Sequence, residues 1–486
     1  MISTKYNLPR ASLALFVLLT GGFILFALFD YFKEMELESQ TFVLLLFASA
    51  VLVMTIRFKV TLLYLLALLI PLSLQLRFAS GSEISIPTEL ICIVLSGFFI
   101  FKLLLGHKFD AGFLKHPITI VILLDLAWLF ASSCFSGMPL VSFKRFTIRL
   151  LYYITFYYFF YELFRVQLKN ISKVYMLQVV GLLIPIGTAL LNHYWIGFSM
   201  MGSQRTSAPF YFDHTIFGAA LVFFIPFLLY SAHSRRTSLK QYISLALLLL
   251  FAVATILSFS RAAWLSLLVA LIMYALFYFG IKLKYLLYLS LIIGGILIIN
   301  SGRIIYAIQH SREQSHTNDV SMHLRSVSNI STDPSNLERI NRWKCAFRMF
   351  AAKPVFGFGP GTYQFYYGSF QRREDLTRIS TFSGNKGHAH SEYLNYLSET
   401  GLPGFVIFVL LVSFTFSKAY TLTQRLRGSP YFGTTVFVSC GLLSFFLHAF
   451  LNGFLEFDKI AMPVFSSIAA LVALDRFAEP QQPVKT

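Results

Sequence analysis

Apolar runs about as long as a bilayer-spanning helix, some 20 residues, recur from near the start of this chain to near its end. The runs are continuously apolar, as in Leu62 to Leu72, rather than alternating with period two, so helices are expected and a β-barrel is not. Composition agrees: 56% hydrophobic and 13% charged residues, against about 25% charged in soluble domains, cannot cover a surface in water. The expected fold is all-α, a polytopic transmembrane bundle of about 12–14 spans with one long, partly helical outer loop.

Fourteen candidate spans centre on residues 11–32, 41–56, 60–76, 86–105, 117–134, 147–164, 174–194, 215–232, 241–258, 263–280, 285–300, 403–418, 431–450 and 460–475. Met1 to Arg10 is a basic start to a long apolar run with no small-residue cleavage site after it, so an uncleaved first helix is expected. The net charge is +18, but the basic residues sit in short clusters between apolar runs, which argues against nucleic acid as a partner and for a topological signal. With the N-terminus inside, 20 of the 40 Lys and Arg fall on inner segments and 8 on short outer ones. The positive-inside rule then sets both termini in the cytoplasm. The expected organisation is a bundle over 1–300, an outer loop over 301–402, and C-terminal helices with a cytoplasmic tail over 403–486.

Cys92, Cys134, Cys345 and Cys440 are far apart, which fits neither a disulfide framework nor a zinc site. A connection of about 100 residues between Ser301 and Leu402 far exceeds the usual 2–8 between bundled helices and is a candidate functional element. Its first part, Ser311 to Pro334, is rich in Ser, Asn, Asp and His and reads as flexible. Then Ser335 or Asn336 caps an expected amphipathic helix to Ala352, with Leu337, Ile340, Trp343, Cys345 and Phe347 on its apolar stripe.

Arg261, in Ser258-Phe259-Ser260-Arg261-Ala262-Ala263-Trp264, is one guanidinium within nearly forty apolar residues. A charge there costs about 2.5–3.5 kcal/mol at mid-helix on insertion scales, so it is either a snorkelling anchor or a functional group. Arg205, in Gly202-Ser203-Gln204-Arg205-Thr206, falls on the same outer side by this topology and is either an interfacial anchor or its counterpart. Two such arginines suit a diphosphate, whose oxygens the planar fork grips bidentately. Gly357-Phe358-Gly359-Pro360-Gly361-Thr362 only superficially resembles a dinucleotide fingerprint, since no strand precedes it and a proline interrupts it. Its glycines serve a tight turn or a close approach to a ligand.

The run from Gly387 to Gly401 reads as a helix with His390, Tyr393, Leu394 and Leu397 on one face and Gly401 as its stop. His390 is a candidate proton acceptor, with Glu392 second; alternatively the histidine is structural, or His388 and His390 are a metal pair, although no further ligand stands at fitting spacing. Asp125, His448 and Glu456 fit either helix packing or a proton path. No cofactor and no metal are expected.

Several of these stretches together resemble the O-antigen ligase and O-antigen polymerase superfamily of bacterial envelope glycosyltransferases. They are Arg205 to His214, Ser260-Arg261-Ala262-Ala263, Arg339-Ile340-Asn341-Arg342-Trp343, Lys353 to Thr362, His388-Ala389-His390-Ser391-Glu392-Tyr393-Leu394 and Glu399-Thr400-Gly401-Leu402-Pro403-Gly404. The resemblance covers roughly Arg205 to Phe405. It implies an inner-membrane enzyme, facing the periplasm, that moves a glycan from an undecaprenyl diphosphate carrier to an acceptor sugar, such as lipid A core or a growing polysaccharide. In such ligases arginines matching Arg205 and Arg261 hold the diphosphate and a histidine matching His390 assists the acceptor hydroxyl. Arg339, Arg342, Gly359, Gly361, His388 and Glu392, within the same stretches, are the candidate substrate-binding residues. Family members often have Asn directly after that histidine, where this chain has Ser391. A polymerase uses the same donor chemistry and stays open as an alternative, as does a transporter or flippase of lipid-linked glycans.

Overall fold

A computed structural model describes residues 37–77, 83–198, 200–234, 239–281, 334–377, 380 and 387–478. The expected spans at 11–32 and 285–300, and the polar stretch Ser311 to Pro334 up to residue 333, lie outside these residues. The fold is all-α and polytopic: eight helices among the described residues are long and apolar enough to cross a membrane.

The helices are α1 (Leu37–Leu69), α2 (Thr88–Leu104), α3 (Pro117–Cys134), α4 (Pro139–Tyr152), α5 (Phe160–Val166), α6 (Lys169–Trp195), α7 (His214–His233), α8 (Leu239–Leu257), α9 (Arg261–Phe279), α10 (Pro334–Ala352), α11 (Glu392–Arg425), α12 (Phe432–His448) and α13 (Asp458–Ala478). A two-stranded antiparallel ribbon pairs Leu74–Arg77 with Glu83–Ile86.

Two expectations are corrected. The span at 60–76 ends early, in a 3₁₀ turn over Ile70–Leu72 and the strand that begins at Leu74. The expected boundary before it is present as a break inside α1: Phe58, between Arg57 and Lys59, takes φ −138 and ψ 39, outside the helical region, and the Lys59 ammonium lies 5.7 Å from the centre of the Phe159 ring. The span at 147–164 is not one α-helix but α4, a wholly buried π-helical turn over Tyr153–Phe159, and α5.

The chain packs as two compact units, neither continuous in sequence. One comprises 1–122, 147–260 and 454–486. Its centre is α7 and α13, buried along most of their length. Tyr175 Oη meets Ser467 Oγ at 2.6 Å on α13, His116 Nε2 meets Asp475 Oδ2 at 3.3 Å near its C-terminal end, and Ser73 Oγ donates to Asp458 Oδ2 at 2.8 Å at its start. In contrast α8 leaves Leu239, Leu249 and Ile256 exposed, as expected of a helix whose outer face meets lipid.

The other unit comprises 123–146 and 261–453, and it contains the long polar connection. Its helix pair α9 and α12 pack along each other. Arg427, just before α12, donates to the carbonyls of Phe277 and Tyr278 at the end of α9, at 3.2 and 3.1 Å. The two helices are therefore antiparallel, and Arg261 stands at the end of the pair where α12 finishes at His448. Also in this unit, α11 packs against both α10 and α12.

Candidate functional site

Within the second unit the site is built on α10. The expected helix over Ser335 to Ala352 is present, but its buried face is not the apolar stripe: Glu338, Asn341, Arg342, Cys345, Ala346 and Met349 are buried, whereas Phe347 is exposed. The reason is polar. Glu338 accepts from Thr377 Oγ1 at 3.0 Å and from Ser380 Oγ at 2.5 Å, Asn341 Nδ2 donates to Gln371 Oε1 at 3.0 Å, and Asp375 pairs with Lys344 and Arg348. These bonds strap residues 371–377 and Ser380 along α10. Cys345, Ala346 and Met349 pack with Phe358, Tyr363, Tyr367 and Ala389 into a small core. Tyr363 and Tyr367 are thus packing residues of this core.

The glycine run closes on α11. Gly359 N–H donates to the Glu399 carbonyl at 2.8 Å, and Gly361 N–H and Tyr363 N–H each donate at 2.9 Å to the Glu399 carboxylate. The approach needs glycine: at φ +107, a Cβ on Gly359 would overlap Ser136 and Ser142. Ser132 Oγ and Ser136 Oγ donate to the carbonyls of Phe356 (2.8 Å) and Phe358 (3.0 Å). The backbone amides of Gly359 and Gly361 are therefore spent on Glu399.

Helix α11 bends at Gly401, whose φ +70 and ψ −170 belong to a region open almost only to glycine. The expected stop is thus a corner, and the chain resumes its helix through Pro403. Leu402 N–H reaches the Pro354 carbonyl at 2.8 Å, and Trp128 Nε1 the Thr400 carbonyl at 2.8 Å.

The histidine segment lies between α10 and the start of α11. Arg342 donates through Nε to Glu338 (3.0 Å) and through Nη1 to the His388 carbonyl (3.1 Å), and its guanidinium covers the Tyr367 ring at 4.8 Å. Tyr363 Oη donates to the Arg342 carbonyl at 2.8 Å. Trp343 Nε1 reaches the His390 carbonyl at 3.4 Å, and Ala389 N–H donates to Asn395 Oδ1 at 2.8 Å. His390 takes φ +49, a left-handed conformation that His tolerates better than most residues. Its N–H donates to His388 Nδ1 at 3.0 Å, with the two rings 4.8 Å apart. A Cβ on Gly453 would meet Asn395, Glu392 and His388 together, so the turn after α12 runs against the same cluster.

Ser391 is the N-cap of α11, its Oγ accepting from Leu394 N–H at 3.4 Å. Asn and Ser rank alike as caps, so the departure from the family's Asn preserves the local bond. Ser391→Asn is expected to leave the unfolding midpoint unchanged, and Ser391→Ala to lose about 1 kcal/mol; denaturation of the solubilised protein checks it, and an Asn variant as weak as the Ala variant contradicts the capping role.

Burial first, then the electrostatic influence of His388 and the positive charge of Arg342 and Arg339, holds the His390 imidazole far below its ordinary 6.5, to about 2. Its Nδ1 is buried without a hydrogen-bond partner among the described residues. The ring is therefore neutral, and an anion bound among these cationic groups raises its affinity for a proton. No group of three or more His, Cys, Asp or Glu that could hold a metal exists among the described residues.

The structure thus brings Arg339, Arg342, His388, His390 and Glu392 together, with Arg261 at the start of α9 in the same unit. Gly359 and Gly361 join them through Tyr363. Arg205 belongs to the first unit, where it ends a short 3₁₀ turn over Met200–Arg205 and is exposed. Glu399 stands in one of the stretches that carry the resemblance without being a candidate residue, and Asn452 was missed; only its polarity beside an apolar helix hinted at it.

Residues 246–409 match a family described as O-antigen ligase. The match runs from within α8 to the first part of α11 and includes Arg261, the glycine run and His390, while Arg205 precedes it. It supports the O-antigen ligase and polymerase superfamily that the motifs resemble, and with it a membrane enzyme of that family. No curated protein matches the chain.

Proposed function

We propose that this multi-pass membrane enzyme of the O-antigen ligase and polymerase superfamily transfers a glycan from undecaprenyl diphosphate to a sugar hydroxyl of an acceptor glycolipid, at the periplasmic face of the bacterial inner membrane. The observation that carries this reading is the His390 imidazole, held at φ +49 beside His388 and within the electrostatic reach of Arg339 and Arg342, inside the stretch that matches the ligase family. The acceptor oxygen attacks the anomeric carbon, the bond from that carbon to the phosphate oxygen breaks with its electron pair staying on the diphosphate, and the hydroxyl proton passes to His390. Arg261 holds the diphosphate and opposes the charge that grows on it. The donor is already activated, so no nucleotide is needed.

Arg342 is so committed to Glu338, His388 and Tyr367 that its share in binding is to hold the histidine segment, with its charge acting through space. Ligation to lipid A core is the reading preferred over polymerisation, which uses the same donor. A transporter of lipid-linked glycan needs no proton acceptor, and His390 weighs against it.

The test uses purified protein, undecaprenyl-diphosphate glycan and a lipid A core acceptor in detergent. Release of undecaprenyl diphosphate that depends on acceptor is expected, and Arg261→Ala should abolish it. No release with lipid A core or with a second donor molecule as acceptor overturns transfer altogether. Deletion of the gene separates the two transfer reactions: unlinked polymer means ligase, single-repeat glycan means polymerase.

A further inference from the structure

Two half-buried lysines of the first unit, Lys59 and Lys102, serve no acceptor in the fold described above. Lys59 follows the break in α1 and Lys102 stands in the last turn of α2, and these helices pack along each other. The Lys59 ammonium lies over the Phe159 ring, and that of Lys102 lies 5.5 Å from the centre of the Phe98 ring. Phe99 joins the two places: its ring centre is 6.4 Å from that of Phe159 and 5.0 Å from that of Tyr158. Helices α1 and α2 and the π-helical turn therefore meet at one aromatic patch, to which each of the two helices brings a lysine.

Neither ammonium has a hydrogen-bond or ion-pair partner among the described residues, and neither nitrogen is sealed inside the protein. Arg165, near the end of α5, differs: it pairs with Asp110 Oδ2 at 3.4 Å and with Glu162 Oε2 at 3.3 Å. The charges of Lys102, Glu162 and Arg165 all act on Lys59. The two lysines thus repel each other, and the carboxylate within reach is already engaged by Arg165. A ring face attracts an ammonium but offers it no acceptor, while partial burial strips it of water. Such a pair is completed by an anion with several oxygens.

The surroundings say where that anion comes from. Ile56 and Val60 beside Lys59, and Phe101 and Leu105 beside Lys102, are exposed, as expected of a surface that meets lipid. By the topology read from charge, both lysines lie toward the cytoplasmic leaflet, which is rich in anionic lipid, and basic pockets between spanning helices on that side hold such headgroups. We propose that Lys59 and Lys102 together bind the phosphate of an anionic glycerophospholipid of the phosphatidylglycerol type, whose acyl chains lie on the exposed apolar residues of α1 and α2. The site is built within the first unit alone and does not depend on the roles proposed for His390 and Arg261.

The test uses the full chain in neutral detergent and two lipids with identical tails, dioctanoyl phosphatidylglycerol and dioctanoyl phosphatidylcholine, with binding followed by native mass spectrometry. Phosphatidylglycerol is expected to bind more tightly. Lys59→Gln and Lys102→Gln should each weaken its binding roughly fivefold, the worth of one lysine near a charged membrane surface, and leave phosphatidylcholine unchanged. Lys240→Gln, which removes an exposed lysine at the start of α8, should change neither. Equal binding of the two lipids means that the lysines merely reach outward to water and overturns the proposal. An equal loss from Lys240→Gln overturns it too, because overall charge then explains the preference. Tighter binding of undecaprenyl phosphate or of inorganic phosphate through the same two lysines overturns the choice of lipid. If either glutamine variant does not fold, phosphatidylglycerol with a photoreactive headgroup decides on the unaltered chain: crosslinks within residues 56–60 or 98–105 are expected, and crosslinks confined to other segments overturn the site.

Discussion

Replacing His390 by alanine is expected to cut the transfer rate by about 10²–10⁴-fold, the usual worth of a positioned proton acceptor, while the melting temperature stays near that of the parent. The ring makes few bonds that the fold needs: the contacts that pin this segment are to backbone atoms, Trp343 on the His390 carbonyl and Arg342 on the His388 carbonyl. The pH dependence is a second part of the same prediction. With its affinity for protons lowered from 6.5 to about 2, His390 remains neutral in the folded protein while the unfolded chain takes up a proton below about 6.5. It therefore lowers stability progressively as pH falls from 6.5 and has no such effect above it. In catalysis, kcat/KM reports the free enzyme and kcat the loaded one. A bound diphosphate places negative charge among Arg339, Arg342 and His388 and raises the proton affinity of His390. The acid limb of kcat should thus lie at higher pH than that of kcat/KM. An acid limb of kcat/KM at the ordinary 6.5 contradicts the cationic surroundings, and an active His390→Ala removes the proton acceptor.

What the sequence made legible is what depends on neighbours along the chain. Apolar runs announced the helices, and Gly401 announced a break because no other residue takes its conformation. Spacing placed α10 correctly over Pro334–Ala352 and Cys345 on its buried side, yet gave no hint that Glu338 and Asn341 are buried, because residues 371–377 and Ser380 hold them through side-chain bonds that no periodicity encodes. Charge marked a break as well: Phe58, between Arg57 and Lys59, leaves the helical region within α1. His390 was found from its motif, whereas Asn452, more than sixty positions later, has no signal beyond being polar in an apolar stretch. Ser132 and Ser136 carry no signal of their partners in the sequence, and only folding brings them to the carbonyls of Phe356 and Phe358.

Glu399 shows the same limit from the energetic side and carries the largest expected effect on stability. Its carboxylate is buried and accepts from Gly361 N–H and Tyr363 N–H. Glu399→Ala leaves both amides without acceptors; at about 1–3 kcal/mol for each buried donor left unsatisfied, the loss is about 2–6 kcal/mol. Glu399→Gln keeps one accepting oxygen but turns an amide NH₂ toward the second donor, so it should fall between the alanine variant and the parent. Thermal unfolding in detergent measures both. The loss should also reach the active end of the unit, because Tyr363 is the link: its N–H is held by Glu399 and its hydroxyl holds the Arg342 carbonyl, while Arg342 holds the His388 carbonyl. Tyr363→Phe separates the two effects, since it keeps the ring in its core and the N–H on Glu399 but frees Arg342. It should cost about 0.5–1.5 kcal/mol, one ordinary hydrogen bond, and lower kcat more than that loss of stability alone would. An alanine variant at position 399 within about 0.5 kcal/mol of the parent, the range of surface substitutions, would mean that water satisfies the two amides and that the glycine run is held by something other than this carboxylate.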